Sequence, residues 1–313
     1  MSKPNILMPG SYAAHEMEIL ERDYQLHKLW EQQDQAAYLR QHGAEIRAIA
    51  TRGDLGASKA LIDQLPNLEI ISCFGVGVDA IDLAACKARG IQVTNTPGVL
   101  NEDVADLALA LMLGIARQIP QADAYTRAGK WPTGSYKLLT RMNTKRLGLI
   151  GMGRIGQAIA KRAEGFSMPI AYHSRQPRND VAYTYFSSAA ELARNCDFLV
   201  AILPGGSETE KLVNAEVLSA LGPKGYFINV ARGSVVDEEA LLAALENQTI
   251  AGAGLDVFWN EPNINRRFLK LENVVLHPHG GSGTAETRAA MGKLVRDNLA
   301  AHFSGKPLLT ALG

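Results

Sequence analysis

The sequence predicts a two-domain α/β protein in which each domain contains a doubly wound parallel sheet. Its 313 residues suggest about two domains, because domains average roughly 150 residues. Short apolar runs alternate with helical stretches along both halves of the chain, as in parallel sheets covered by helices. A glycine-rich turn, Gly151-Met-Gly-Arg-Ile-Gly156, directly follows one of these runs. A Rossmann domain binds a dinucleotide at such a turn.

The first part of the chain contains five predicted strands. They are residues 5–8, 24–29, 46–51, 69–73 and 91–94. Helical periodicity covers residues 32–42 and 57–65 between them. This alternation predicts a flavodoxin-like substrate domain over residues 1–99. We expect the chain to return to this domain at about residues 286–313, through a final helix at 285–303.

The middle of the chain leads into a second alternating series. Residues 101–119 are apolar almost all round, which predicts a helix buried between domains or subunits. Residues 120–144 lack clear periodicity and are expected to form an irregular arm. Six further strands are predicted at residues 146–150, 170–173, 198–203, 226–230, 252–258 and 273–276. Residues 100–285 are therefore interpreted as a Rossmann domain, with a cleft between it and the first domain.

Composition excludes several classes of protein. The chain has 32 Lys plus Arg and 32 Asp plus Glu, so it has no overall field to attract a polyanion, and no nucleic-acid partner is expected. The longest apolar run, residues 107–116, is shorter than the roughly 18 residues that a membrane span needs. Three cysteines without short spacing indicate core thiols in a reducing cytoplasm rather than a disulfide framework or a zinc pair.

Each glycine of the turn has a mechanical reason. Gly151 makes the turn, Gly153 lets the backbone approach a pyrophosphate, and Gly156 lets helix and strand pack closely. The helix that starts at Arg154 and Ile155 offers unpaired N–H groups to the phosphates. A glycine-rich turn without a ligand is the alternative. Strand, turn, helix and second strand in succession favour dinucleotide binding.

The end of the second strand bears on which dinucleotide binds. NAD enzymes usually place an acidic residue there to bond the ribose 2′-OH. Ser174, Arg175 and Arg178 stand here instead. A hydroxyl and two guanidinium groups can bind a 2′-phosphate, although a solvated basic loop is the alternative. The sequence therefore favours NADP(H), with NAD(H) as the second choice.

Three later strands are followed by residues with catalytic chemistry. Ligands of open α/β sheets bind beyond the carboxyl ends of the strands. Arg232, Glu261 and His279 each follow a different predicted strand, so they can converge although they are far apart in sequence. Arg232 or Glu261 alone would more often be an ordinary ion-pair or turn residue. Their joint occurrence with His279 favours a catalytic site.

The same stretches resemble a known family. The motifs are the glycine turn, Phe74-Gly-Val-Gly-Val-Asp79, Asn95-Thr-Pro-Gly-Val99, Asn229-Val-Ala-Arg-Gly-Ser-Val-Val-Asp237, Gly254-Leu-Asp-Val-Phe258 with Glu261-Pro262, and Pro278-His279 with Gly281-Ser282. Together they resemble the D-isomer-specific 2-hydroxyacid dehydrogenases over almost the whole chain. The Ser174-Arg175 ending looks most like the branch of NADPH-preferring glyoxylate/hydroxypyruvate reductases and hydroxyphenylpyruvate reductases.

The resemblance implies reduction of a small 2-oxo acid to a D-2-hydroxy acid by hydride transfer. Arg232 would grip the substrate carboxylate and polarise the carbonyl. His279 would protonate the carbonyl oxygen. Glu261 would orient His279 and raise its pKa. Backbone N–H groups of Val76 and Gly77 would hold the carboxylate.

The resemblance also implies further cofactor contacts and an assembly. Asp256 would bind the nicotinamide carboxamide. The other implied cofactor contacts are Leu203, Pro204, Val230, Ala231, His279 and Gly281. A homodimer through an arm at about residues 101–144 is also implied. Separately, Arg52 and Trp131, the latter from a neighbouring subunit, are candidates for the substrate pocket, and a structural role is the alternative for each.

Two positions depart from the family pattern. Gly280 stands where an apolar residue is usual, and His277 replaces a commoner small polar residue, so the pocket around His279 is expected to differ locally. His277 and His279 are two apart, but no further ligand lies nearby, and no metal is expected. Two other functions stay open: a non-catalytic dinucleotide-sensing protein of the same fold, and a 2-ketogluconate-type reductase.

Overall fold

The structure, a computed structural model, describes residues 3–312 and divides into two compact units. Unit 1 joins the N-terminal part of the chain, up to Leu100, with the C-terminal part from Thr284 onward. Unit 2 is Asn101–Gly283. Each unit has its own parallel sheet, so the predicted fold class of two parallel-sheet α/β domains is confirmed. Within residues 3–312 no helix has the length and apolarity to cross a membrane.

Unit 1 is a five-stranded parallel sheet with helices. Its strands are β1 (Asn5–Met8), β2 (Gln25–Lys28), β3 (Ala48–Arg52), β4 (Ile70–Phe74) and β5 (Gln92–Thr94). Its helices are α1 (Ala14–Asp23), α2 (Gln35–His42), α3 (Lys59–Asp63), α4 (Leu83–Ala88) and the C-terminal helix (Ala285–Phe303). The strand order is β2-β1-β3-β4-β5, which is the flavodoxin-type order.

The centre of unit 1 is held by β4 and the C-terminal helix. All five residues of β4 are buried, as expected for a strand covered on both faces. The C-terminal helix starts at Thr284, whose hydroxyl accepts the Thr287 N–H, and packs on β4. The fully buried Asn298 of this helix accepts the backbone N–H groups of Leu309 and Thr310. The end of the chain is thereby tied to unit 1.

Unit 2 is a seven-stranded parallel sheet. Its strands are β6 (Leu147–Ile150), β7 (Ile170–His173), β8 (Thr184–Phe186), β9 (Phe198–Ala201), β10 (Tyr226–Asn229), β11 (Gly252–Leu255) and β12 (Val274–Leu276). Its helices are α5 (Asn101–Ala116), α6 (Ile119–Arg127), α7 (Arg154–Glu164), α8 (Ala189–Arg194), α9 (Ala215–Leu221) and α10 (Glu238–Glu246). The strand order is β12-β11-β10-β9-β6-β7-β8. From β6 the later strands are added on one side up to β12 and on the other side up to β8, as in a Rossmann sheet.

Two local predictions for unit 2 were wrong. Strand β8 was not predicted because it is a three-residue edge strand without an apolar run. Residues 119–127 form helix α6 rather than part of an irregular arm. Pro120 lies in the first turn of this helix, where its missing N–H costs no hydrogen bond.

Glycines let α5 lie directly against the strands that precede the predicted site. A Cβ added to Gly254 would lie 2.9 Å from the Cβ of Leu111, and one on Gly252 would lie 3.0 Å from Ile115. The helix therefore packs on β10, β11 and β12 at a distance that larger residues would not allow. This contact fixes the three neighbouring strands whose carboxyl ends carry the candidate site.

Candidate active site

Three adjacent strands bring Arg232, Glu261 and His279 to one edge of the unit 2 sheet. β10 pairs with β11 and β11 with β12, all parallel, so their carboxyl ends lie side by side. His279 Nδ1 lies 2.5 Å from Glu261 Oε2. The positive charge of Arg232, which follows β10, lowers the pKa of His279.

Glu261 is fixed at both carboxylate oxygens. Its Oε1 accepts the backbone N–H of Phe258 at 2.8 Å, and its Oε2 lies against His279 Nδ1. Because Nδ1 is engaged with the carboxylate, Nε2 is the ring nitrogen available for proton exchange with a ligand. The hydrogen bond to Glu261 therefore holds the imidazole of His279 in one orientation.

The pKa of His279 is raised above its usual 6.5. The main cause is the hydrogen bond that His279 Nδ1 donates to Glu261, which outweighs the opposing effect of desolvation. The charges of Glu261 and Asp256 also raise the pKa, whereas the charge of Arg232 lowers it. The imidazolium therefore persists to higher pH than an ordinary imidazolium does, as a general acid near neutral pH requires.

The turn that carries Arg232 is held by Asn229. This buried amide donates to the carbonyl of Arg232 at 3.0 Å and accepts the N–H of Ala231 at 3.0 Å. Arg232 Nη1 donates to the carbonyl of Ala231 at 2.7 Å. Gly233 allows close packing here, since a Cβ on it would lie 2.1 Å from the backbone of Phe258. The turn after β10 and the loop that carries Glu261 thus lie against each other.

Asp256 lies at the end of β11 and is 2% exposed. Its carboxylate accepts the backbone N–H groups of Gly280 at 2.7 Å and of Gly281 at 3.0 Å. The predicted nicotinamide contact is therefore also a structural support of the loop after β12. Within residues 3–312 no group of three His, Cys, Asp or Glu side chains is arranged to hold a metal ion.

The predicted substrate contacts Val76 and Gly77 lie in unit 1, just beyond β4. The side chain of Asn95 donates to the carbonyl of Val76 at 2.9 Å, and Gly75 N–H donates to Thr96 Oγ1 at 3.1 Å. These two hydrogen bonds anchor the loop and involve neither the Val76 nor the Gly77 N–H group. Backbone N–H groups of such a loop can bind a carboxylate.

The two candidates for the substrate pocket have different surroundings. In unit 1, Arg52 forms an ion pair with Asp54 at 2.6 Å and donates to the Ser11 carbonyl at 3.2 Å. In unit 2, Trp131 is 68% exposed. A new pocket role for Arg52 would have to compete with its ion pair.

The glycine turn after β6 fits a dinucleotide. Gly151 has φ +108°, and its added Cβ would lie 2.1 Å from the carbonyl oxygen of Ile202; a Cβ on Gly156 would lie 2.4 Å from that of Gly151. These two glycines are needed by the fold. A Cβ on Gly153, in contrast, would meet no atom within 4 Å. The open space at Gly153 lies where α7 begins, at Arg154 and Ile155, and is suited to a phosphate group.

The remaining predicted cofactor residues lie at neighbouring strand ends. Leu203 and Pro204 follow β9, and Val230 and Ala231 follow β10. Ser174, Arg175 and Arg178 follow β7, and no carboxylate occupies residues 174–178.

The three residues after β7 are not equally available. The side chain of Arg175 is 91% exposed and lies 3.6 Å from Glu208. Ser174 Oγ donates to the Gln176 carbonyl. The guanidinium of Arg178, in contrast, is hydrogen-bonded to Asp180 through two nitrogens.

Comparison with known proteins identifies the family. Residues 109–281 match the family described as D-isomer specific 2-hydroxyacid dehydrogenase, NAD binding domain. The chain belongs to this family. The dehydrogenase is 48% identical over 310 residues to hydroxyphenylpyruvate reductase of Plectranthus scutellarioides, covering 99% of both chains. It is equally similar, at 48% over 99% of both chains, to glyoxylate/hydroxypyruvate reductase A of Arabidopsis thaliana.

A solved structure also matches the dehydrogenase along its length. It is the NADPH-dependent glyoxylate/hydroxypyruvate reductase of Sinorhizobium meliloti in complex with NADP and malonate, with 46% identity and a TM-score of 0.93. The match covers 100% of this chain and 97% of that one. The dehydrogenase is therefore an oxidoreductase with an NAD(P)-binding domain.

Sequence reasoning gave no role to two supports of the site. Asn229 belongs to the same sequence motif as Arg232, but the motif does not show that the Asn229 amide bonds to the backbone of Ala231 and Arg232. The contact between His277 and Asp256 was also missed, because it joins residues on different strand ends. Both supports depend on side-chain contacts that only the folded dehydrogenase displays.

We predict that Gly153→Ala separates ligand binding from folding. The new methyl group meets no protein atom, so the midpoint of thermal unfolding should hardly change. The methyl should instead obstruct the pyrophosphate and weaken NADPH binding by about 1–3 kcal/mol, measured by fluorescence titration. Gly156→Ala is the matched control, since its methyl clashes with Gly151 and should destabilise the fold by about 1–3 kcal/mol. Unchanged affinity in Gly153→Ala would contradict this interpretation.

Glu261→Gln should shift the pH dependence of reduction to lower pH. With His279 as the expected proton donor, kcat/KM should fall as pH rises through the raised pKa of its ring. The amide removes the main cause of that rise, and the fall should then occur at lower pH. Glu246→Gln is the control, because that carboxylate is bonded to Arg267 away from His279. An identical pH profile in Glu261→Gln and the wild type would rule out this control of His279.

Proposed function

We propose that this dehydrogenase reduces small 2-oxo acids to D-2-hydroxy acids, with NADPH as its preferred hydride donor. The observation that carries the proposal is the His279–Glu261 pair, 2.5 Å apart, beside Arg232 at the edge of a dinucleotide-binding sheet. Reduction of a ketone needs a hydride and a proton, and this site offers a place for the proton donor next to a cation for the substrate. The relatives named as reductases of 2-oxo acids support the same reaction.

Residues of the chain bind the substrate, polarise its carbonyl group and donate the proton. When bound, the reduced nicotinamide supplies a hydride to the carbonyl carbon of the substrate. Arg232 binds the substrate carboxylate and polarises the carbonyl group. His279 donates the proton from Nε2 to the carbonyl oxygen, and Glu261 holds the ring and favours its charged form. The backbone N–H groups of Val76 and Gly77 hold the carboxylate.

The preference for NADPH rests on the end of β7. Ser174 and Arg175 can bind a 2′-phosphate, and no carboxylate at residues 174–178 repels it. Arg178 would have to exchange Asp180 for the phosphate, so we assign the main contact to Arg175. The Sinorhizobium meliloti relative is NADPH-dependent and was solved with NADP, which supports this assignment.

The proposal includes a homodimer in the cytoplasm. Two large apolar side chains in residues 101–144 support the homodimer, since Trp131 is 68% exposed and Leu138 is fully exposed. Burial of such residues against a second copy would remove apolar surface from water. A non-catalytic dinucleotide-sensing protein is the alternative function, and Arg232, Glu261 and His279 argue against it.

The decisive test of the activity combines a substrate panel with one substitution. We expect the wild type to oxidise NADPH in the presence of glyoxylate, hydroxypyruvate, hydroxyphenylpyruvate or 2-ketogluconate. His279→Ala should retain NADPH binding but lose kcat by about 10²–10⁴-fold, because it lacks the general acid. Initial rates and fluorescence titration measure the two quantities. NADPH binding without turnover of any substrate would favour the dinucleotide-sensing alternative.

Arg175→Asp should change the choice of cofactor. The carboxylate repels a 2′-phosphate and can bond a ribose 2′-OH, so KM for NADPH should rise by about tenfold or more and exceed any rise for NADH. Arg194→Asp is the control, because Arg194 also forms a solvent-exposed ion pair with a glutamate, Glu216, at 3.9 Å. Equal changes for both cofactors would remove Arg175 from 2′-phosphate recognition.

A further inference from the structure

The two positions that depart from the family pattern, His277 and Gly280, are in direct contact. His277 Nδ1 lies 2.6 Å from Asp256 Oδ1. A Cβ added to Gly280 would lie 2.4 Å from His277 Cε1 and 3.2 Å from Nδ1. The imidazole therefore occupies the space that a side chain at position 280 would need. This position of the ring is compatible only with glycine there.

Asp256 is the centre of the contacts around this ring. Its carboxylate is buried and accepts three donors: His277 Nδ1 and the N–H groups of Gly280 and Gly281. Its carbonyl oxygen accepts the N–H of His279 at 2.8 Å. A buried carboxylate is stable only with such donors. Residues 277–281 are therefore wrapped around one side chain of the neighbouring strand end.

The backbone of His279 needs this support. Its φ of +47° lies in the left-handed region, which is uncommon for residues other than glycine. Such a conformation persists when surrounding contacts hold it. The N–H of His279 and the next two N–H groups all bond to Asp256. The contacts of Asp256 thus determine where the imidazole of His279 lies relative to Glu261.

We propose that His277 is a positioning residue for the proton donor. Its ring lies in the space left by Gly280 and donates to Asp256, and this contact holds residues 277–281 so that the ring of His279 stays hydrogen-bonded to Glu261. His277 itself does not exchange a proton with the substrate. This inference rests on the proposed role of His279. The charged groups that act on His279 are Glu261, Asp256 and Arg232, and His277 acts through the second of them.

Four variants test the proposal: His277→Ala, His277→Asn, Gly280→Ala and the double variant His277→Ala/Gly280→Ala. His277→Ala removes the donor and should lower kcat by about tenfold, with a smaller change in KM for NADPH. Asn places an N–H at the position of Nδ1, so His277→Asn should keep most of kcat. Gly280→Ala displaces the ring and should resemble His277→Ala. The double variant should be no worse than either single one, since both break one contact.

A spectroscopic measurement separates positioning from activity. The histidines of the cofactor-free protein are titrated by NMR, and His279 is assigned by its loss in His279→Ala. In His277→Ala the pKa of His279 should move down towards its ordinary value, because the ring no longer stays on Glu261. In His277→Asn it should remain raised. If His277→Ala does not fold, His277→Asn and Gly280→Ala still decide, since they are predicted to differ.

A second histidine–carboxylate contact provides the control. His302 Nε2 lies 2.8 Å from Glu69 Oε2 in unit 1, so His302→Ala removes a similar contact without touching Asp256. Its kcat should equal that of the wild type. The proposal is overturned if His277→Ala keeps its kcat and the His279 titration while Glu261→Gln still alters that titration. Failure of the wild type to reduce any 2-oxo acid would instead contradict the proposed function, and the NMR titration would still decide the positioning role.

Discussion

The parallel pairing of β10, β11 and β12 is the constraint on which the candidate site depends. Parallel strands in register end at one edge, so the three segments that follow them are neighbours whatever their separation in sequence. The small residues of β11 keep these strands against α5, at the cost of the packing that larger side chains would supply. The strand pairing therefore brings the segments that carry Arg232, Glu261 and His279 together, and side-chain contacts then set the position of each group.

Opposing electrostatic effects meet at His279. Desolvation and the charge of Arg232 both favour the neutral imidazole, and the hydrogen bond that the ring donates to Glu261 outweighs them. This outcome requires a carboxylate oxygen held at a fixed place, and the backbone N–H of Phe258 holds the other oxygen of Glu261. The raised pKa widens the pH range in which both His279 and Arg232 are cationic at this end of the sheet. Such an edge suits an anionic ligand with a carbonyl group, because one cation can bind the carboxylate while the other donates its proton.

Much of the fold could be predicted from the sequence, because buried parallel strands appear as short apolar runs and glycines mark the tight turns that follow them. The ends of β6 and β10, for example, agree with the predicted runs to within one residue. Strand β8 and helix α6 could not be predicted in this way, since one is a short edge strand and the other lacks an apolar face. In the site, strand ends indicated Arg232, Glu261 and His279. The contacts of Asn229 and His277 were not predictable, because they depend on side-chain geometry across loops.

The start of α7 illustrates how two local features indicate one ligand. Helices α8, α9 and α10 of the same unit begin with side chains that accept a backbone N–H, namely those of Ser188, Asn214 and Asp237. Helix α7 begins at Gly153, which has no side chain to do this. The first N–H groups of a helix need an acceptor, and the space beside Gly153 is open. A phosphate placed there would supply the acceptor and the negative charge that a helix start favours, so a bound cofactor would cap α7 where the chain has no side chain to do so.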